Sequence, residues 1–182
     1  MSAYLLPAFF LGVILRTTLY RDFSMPTLRH AWLFLLGVLA ELFMVFLVVR
    51  GYAPKEVVVP LGEVVSYACI LSGLWLNRSL PGIPLALLGG AMNALVIFAN
   101  GGHMPVDPAV LERAGLGHLR EALARAEDGL HVLAGEGTRL LFLGDWIPLP
   151  GRVVSPGDLL LVLGIFLWAM VPSRKGGPTM KP

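Results

Sequence analysis

Three polar side chains interrupt long apolar runs in this chain: Glu41, Glu63 and Asn93, one in each of three successive runs. Carboxyl and carboxamide groups in such surroundings cost free energy unless they pair or face a wet cavity, so their recurrence points to a shared internal pocket. Helix geometry brings them to one level. Measured from the run ends that the charge distribution places outside, Glu41 lies about 12 Å below Val49, and Glu63 and Asn93 lie about 9 Å below Val57 and Ala99. Tyr67 follows Glu63 by four residues and so shares its helix face. A layer of this kind suits binding of a cation, a proton or a polar head group. The plainer alternative is interhelical hydrogen bonding, which contributes on the order of 0.6 kcal/mol per bond in folded membrane proteins. Inserting a charged residue at a helix centre costs roughly 2.5 to 3.5 kcal/mol, and two carboxyls plus an amide at one depth exceed what packing requires.

Four more candidates lie in the segment that follows. Asn100 and His103 belong to the run Asn100-Gly-Gly-His-Met-Pro, His131 stands alone, and Asp145 sits in Leu143-Gly-Asp-Trp-Ile-Pro. The glycines permit close backbone approach, so either run can form a ligand-binding turn. The four histidines, His30, His103, His118 and His131, form no HxxxH or HExxH pair. The lone Cys69 adds neither a zinc ligand set nor a disulfide, so no metal and no cofactor are expected. Asp158 has a structural explanation: Ser155 as N-cap, Pro156 at N1 and Asp158 at N3 make a helix start of capping-box type. On that ground it is left out of the expected site.

The elements that position these groups follow from composition. With 56% hydrophobic and 14% charged residues and a mean hydropathy of +0.75, the chain departs from the usual soluble range of about one quarter charged. An all-α integral membrane bundle of one domain is expected. A net charge of +2 gives no reason to expect nucleic acid. Five apolar runs are candidate spans: 3–20, 31–49, 57–76, 83–99 and 156–171. A crossing needs about 20 residues, so the first run spans only if all of Met1 to Tyr20 helps and Arg16 snorkels. Arg16, Arg21, Arg29, Arg78, Arg174, Lys175 and Lys181 then fall on one side, against Arg50 and Lys55 in the short loop opposite. The N-terminus is therefore expected outside and the C-terminus in the cytoplasm. Ala86, Gly90 and Ala94, with Gly89 beside them, predict a small-residue packing face on the fourth run. Residues 100–155 are too long and too apolar for a simple loop, and predict a partly helical outer cap. Asp107 and Pro108 should begin a helix there with Leu116, Leu119 and Leu123 on one face. Trp32, Trp146 and Trp168 suit the membrane boundaries.

The runs Asn100-Gly-Gly-His-Met-Pro-Val, Leu143-Gly-Asp-Trp-Ile-Pro-Leu-Pro and Ser155-Pro-Gly-Asp, with His131 between them, resemble a family of small bacterial polytopic membrane proteins classed only as a domain of unknown function. The resemblance covers nearly the whole chain. It implies a bacterial inner-membrane protein with several spans, and it supplies no catalytic residues. A second, looser likeness is to lipoprotein signal peptidase, through Gly89-Gly-Ala-Met-Asn93 and the later Asp158. That family's Gly-Asn-x-x-Asp-Arg run fails here, since Val96 and Ile97 occupy the Asp-Arg places. A proton-sharing carboxyl dyad would then fall to Glu41 and Glu63. The expected function is binding of a small cation, proton or amphipathic lipid in an outward-facing pocket. The alternatives are a non-catalytic assembly partner of another membrane protein and an intramembrane carboxylate hydrolase. The expected partners are the lipid bilayer, a small polar or lipidic ligand, and a second membrane protein.

Overall fold

The computed structural model describes residues 2–23, 27–127 and 129–172. The first four apolar runs fold as α1 (Ser2–Tyr20), α2 (Trp32–Val49), α3 (Lys55–Leu76) and α4 (Ile83–Ala99). The segment after α4 forms strand β1 (Met104–Val106), the short helices α5 (Pro108–Leu111) and α6 (Arg120–Ala124), and strands β2 (His131–Leu133), β3 (Ile147–Leu149) and β4 (Arg152–Val154). The last run is α7 (Pro156–Met170). The five long helices match the expected runs closely because length, apolarity and Pro or Gly punctuation act together. Pro54 caps α3 in extended conformation, Gly82 precedes α4 with φ +79°, and Ser155-Pro156 opens α7. The chain is mostly helical. Trp32–Val49 and Val57–Leu76 are long and apolar enough to cross a membrane, whereas Leu5–Tyr20, Ile83–Ala99 and Pro156–Met170 are shorter apolar helices. The basic tail Arg174, Lys175 and Lys181 lies outside the described residues.

The long helices pack in the order α2, α3, α4, α7, α1. The tightest seam joins α4 to α7, where backbone meets backbone. A Cβ on Gly89 would strike the Gly157 carbonyl and lie 2.8 Å from the Leu161 amide, and one on Gly164 would lie 2.5 Å from the Ala86 amide. The expected face of Ala86, Gly90 and Ala94 is in fact divided. Ala86 and Gly89 serve α7, while Gly90 faces Leu71 of α3 and Ala94 packs with Tyr67. Steps of four residues overshoot a helical turn, so such a row winds from one neighbour to the next. At the other edge α2 rests chiefly on α3, with Met44 over Gly62 and Phe34 over Gly73. Its remaining faces leave Leu35, Leu39, Leu42 and Phe43 exposed, as are Phe10 and Ile14 on α1, Leu88 and Leu95 on α4, and Leu159 and Leu163 on α7. Arg16 is fully buried, so it does not snorkel along the bundle surface as expected. Asn77 closes the end away from the cap, accepting from the Arg29 amide at 2.7 Å and donating to the Arg29 carbonyl at 2.8 Å.

The cap is only partly helical, and its strands were not foreseen. Asp107 caps α5 as expected, accepting from the Ala109 amide at 2.8 Å, but Gly115 at φ +73° breaks the helix before the leucine face can form as one piece. β1 pairs in parallel with β2, with Met104 opposite His131, and β3 pairs antiparallel with β4. Asp145 joins β1 on the other side: its amide donates to Pro105 and its carbonyl accepts from Asp107, both at 2.9 Å. The backbone of β1 thus fixes His131 and Asp145 over the cap-side ends of the helices.

The α4–α7 seam yields a direct test. Gly164→Val should destabilise the protein by about 1 to 3 kcal/mol through overpacking, seen as a lowered thermal midpoint. Gly135→Ala, where a Cβ meets nothing within 4 Å, should leave that midpoint in place.

Candidate functional site: an acidic chamber beneath the cap

A cavity of about 290 Å³ lies where the cap-side halves of the helices meet the cap. Its wall includes Glu41 of α2, Glu63 and Tyr67 of α3, Asn93 of α4, Asp158 of α7, and His131 and Asp145 of the cap. Ile70, Ile97, Met104, Leu130 and Val153 complete it.

Several of these polar groups are held by their own local chemistry. Ser66, three residues after Glu63, donates to Glu41 Oε1 at 2.6 Å and ties α2 to α3. Asn93 is 1% exposed, and its Nδ2 donates to Asp158 Oδ1 at 2.7 Å while its Oδ1 accepts from Ser155 Oγ at 2.8 Å. Ser155 Oγ also accepts from the Asp158 amide at 2.9 Å, so one amide side chain on α4 orders the first turn of α7. Gly157 is what lets Asn93 come so close, since any Cβ there would collide with Asn93 Oδ1. Tyr67 is buried, with its ring edge-on to Phe98 at 6.0 Å.

Among the described residues Asp145 is the most enclosed acid of the cap, 6% exposed, with Oδ2 at 3.9 Å from His131 Nε2 and Oδ1 without a hydrogen-bond partner there. Burial pushes its carboxyl up to about 7, the Asp158 carboxyl adds to the rise, and His131 opposes it. Two further spaces adjoin the chamber. A cap cavity of about 370 Å³, walled by Leu111, Leu116, Leu119, Leu123 and Arg152, shares His131, Asp145 and Val153 with it. A groove of about 360 Å³ follows Met44, Val45, Val48, Val59 and Gly62 on α2 and α3, and shares Glu41, Glu63 and Leu130.

Of the residues expected from sequence, Glu41, Glu63, Tyr67, Asn93, His131 and Asp145 meet at the chamber. Asn100 and His103 do not line it. Asn100 instead grips the cap backbone, accepting from the Arg139 amide and donating to the Arg139 carbonyl, both at 2.8 Å. His103 Nδ1 lies 3.0 Å from the Gly129 carbonyl. Asp158, which the capping motif leaves outside the expected site, lines the chamber as well. The capping explanation holds for its backbone amide but says nothing of where the carboxyl points. A polar partner at matching depth, Asn93, was the available signal. Among the described residues no group of three His, Cys, Asp or Glu side chains is arranged to hold a metal ion.

A mostly helical chain, two of whose helices are of membrane-crossing length, with an acidic chamber under a mixed cap, is the class that fold and site define. The chain belongs to DUF5317, a family of unknown function, whose model matches residues 26–170. An uncharacterized protein of Thermotoga maritima is 34% identical over 125 residues, covering 66% of this chain and 67% of that one. No solved structure matches this chain.

Two outcomes follow from this geometry. Asn93→Leu should cost about 1 to 3 kcal/mol for each buried polar group it strands, Ser155 and Asp158 among them, measurable by thermal or denaturant unfolding. Asp145 has a folded-state value above its ordinary one, so the native protein holds that proton more tightly than the unfolded chain does. Its stabilising contribution is complete below the ordinary carboxylate range and is lost as pH rises towards about 7. Comparing thermal midpoints from pH 4 to 8, the slope should be smaller in Asp145→Asn than in the unaltered protein.

Proposed function

We propose that this chain is a bacterial inner-membrane protein of five spans and one domain, N-terminus outside, whose outward-facing chamber binds a small cation or the cationic group of an amphiphile. The observation that carries the reading is the charge balance of the chamber wall. Glu41, Glu63, Asp145 and Asp158 line one space, and no lysine or arginine does so among the described residues. Carboxylates this close repel one another in a medium of low dielectric, and a bound cation offsets that repulsion. Glu41 and Asp158 already accept bonds from Ser66 and Asn93, which fixes their positions, while Asp145 presents an unused acceptor oxygen.

Support for the membrane setting comes from the exposed apolar side chains on α1, α2, α4 and α7, too extensive for a soluble monomer's surface. Arg21, Arg29 and Arg78 lie in the connections at the end opposite the cap, in keeping with a cytoplasmic face there. The assembly-partner alternative would dock another subunit on the cap and the glycine-rich face of α4; α7 of the same chain packs on that α4 face, which favours the binding reading.

Two measurements test this reading. Purified protein in lipid nanodiscs should show a thermal midpoint that rises with ethylammonium concentration, by an amount equivalent to about 2.7 kcal/mol at a hundredfold excess over Kd. Glu63→Gln should remove the rise, and an equal rise in that variant would sink the proposal. In a Cys69→Ser background, a cysteine placed at Gly135 should react with an impermeant maleimide in intact cells, while one placed at Arg78 should not.

A further inference from the structure

The acidic chamber is joined sideways to an apolar groove, and that continuity constrains what kind of cation can fill both. We infer that the ligand is a lipophilic primary ammonium, an amine-bearing amphiphile whose head occupies the chamber and whose alkyl chain lies along the groove between α2 and α3. This rests on the cation-binding reading and adds the ligand class to it.

The groove runs down the outer halves of both helices between Met44, Val45 and Val48 on one side and Val59 and Gly62 on the other, and its deep end is Glu41 and Glu63. Val45 is 59% exposed and Val49 78% exposed, so the groove can be entered from beside α2. An uncharged chain lying there would cover two carboxyls without pairing them, and an anionic head group would be repelled by them. A cation at the deep end meets both conditions. At the outer end Lys55 donates to the Ala126 carbonyl at 3.3 Å, and Glu127, which also lines the groove, is paired with Arg125 at 2.7 Å, so Lys55, Arg125 and Glu127 together leave the net charge there positive. The two ends of the groove therefore differ in sign and orient a singly charged amphiphile head-inward. Lys55 and Glu63 are separated by about 12 Å along α3, a length that suits an extended alkyl chain.

The head is primary rather than quaternary because the chamber offers acceptors. Asp145 Oδ1 is buried without a hydrogen-bond partner among the described residues, and Glu63 and Asp158 line the same space. A primary ammonium carries three N–H donors and a trimethylammonium none, so only the former satisfies these oxygens.

An alkyl chain that leaves lipid for an apolar groove changes its surroundings little, so its position is a better readout than the gain in affinity. The full chain in nanodiscs is irradiated with decylammonium bearing a diazirine at the far end of its chain, and the labelled residues are mapped by mass spectrometry. Label is expected on 44–49 and 55–62, displaced by excess decylammonium but not by decanol. Decyltrimethylammonium should compete about tenfold less well, the worth of one hydrogen bond to a charged group. Glu63→Gln should lower groove labelling, and the competition series on the unaltered protein decides the matter if that variant does not fold. Label spread over the lipid-facing sides of α1, α4 and α7 and indifferent to decylammonium would overturn the inference, as would equal competition by decanol. An ethylammonium-induced thermal shift in the same preparation separates the two failures. With the shift present and the label dispersed, the chamber reading stands and the alkyl ligand falls; with both absent, both fall.

Discussion

The structure depends on one backbone-to-backbone contact, the seam where α4 and α7 run against each other with glycine on both sides. Gly89, Gly157 and Gly164 leave no room for a methyl group at three points along it. Only at that separation can Asn93 on α4 reach both Ser155 and Asp158 at the head of α7. The same approach sets the end of β4 and the first turn of α7 against the bundle, so it fixes the floor of the cap as well as one wall of the chamber. A looser seam would leave Asp158 free to choose another rotamer, and the acidic space would lose one side.

Electrostatics then sets what the chamber can hold. Its acids arrive from separate directions, Glu41 and Glu63 from α2 and α3, Asp158 from α7 and Asp145 from the strand-like segment beside β1. Glu41 and Asp158 are each positioned by a neighbour that is itself part of the fold, Ser66 and Asn93, rather than by the other acids. Mutual repulsion is thus held in place by packing, which is the pre-organisation a binding site needs if it is not to spend binding energy on rearrangement.

Much of this was legible in the residues. Long apolar runs fix helix ends to within a few residues, and a constant rise per residue converts position into depth, which is why Glu41, Glu63 and Asn93 could be brought together on paper. Tyr67 followed from the i, i+4 rule. The cap was harder. Three-residue strands leave no periodicity to read, and β1 and β2 pair across a long intervening segment that contains two helices. His131 and Asp145 were found by residue type, but the same reasoning admitted Asn100 and His103, whose polar atoms are spent on loop backbone. Asp158 was lost because a capping motif describes an amide and leaves the carboxyl undetermined. The membrane setting and the number of spans rest on composition and exposure, since two helices are of crossing length and three are shorter.

The attachment of α2 has a consequence of its own. It leans chiefly on one neighbour, and at the level of the acids it is joined to that neighbour by the Glu41–Ser66 bond and by Met44 packed over Gly62. Displacing it disturbs neither the glycine seam nor the paired strands. Among the helices that wall the acids, α2 is the one carried chiefly by a single neighbour, so the Ser66 hydroxyl is what registers Glu41 against the other acids.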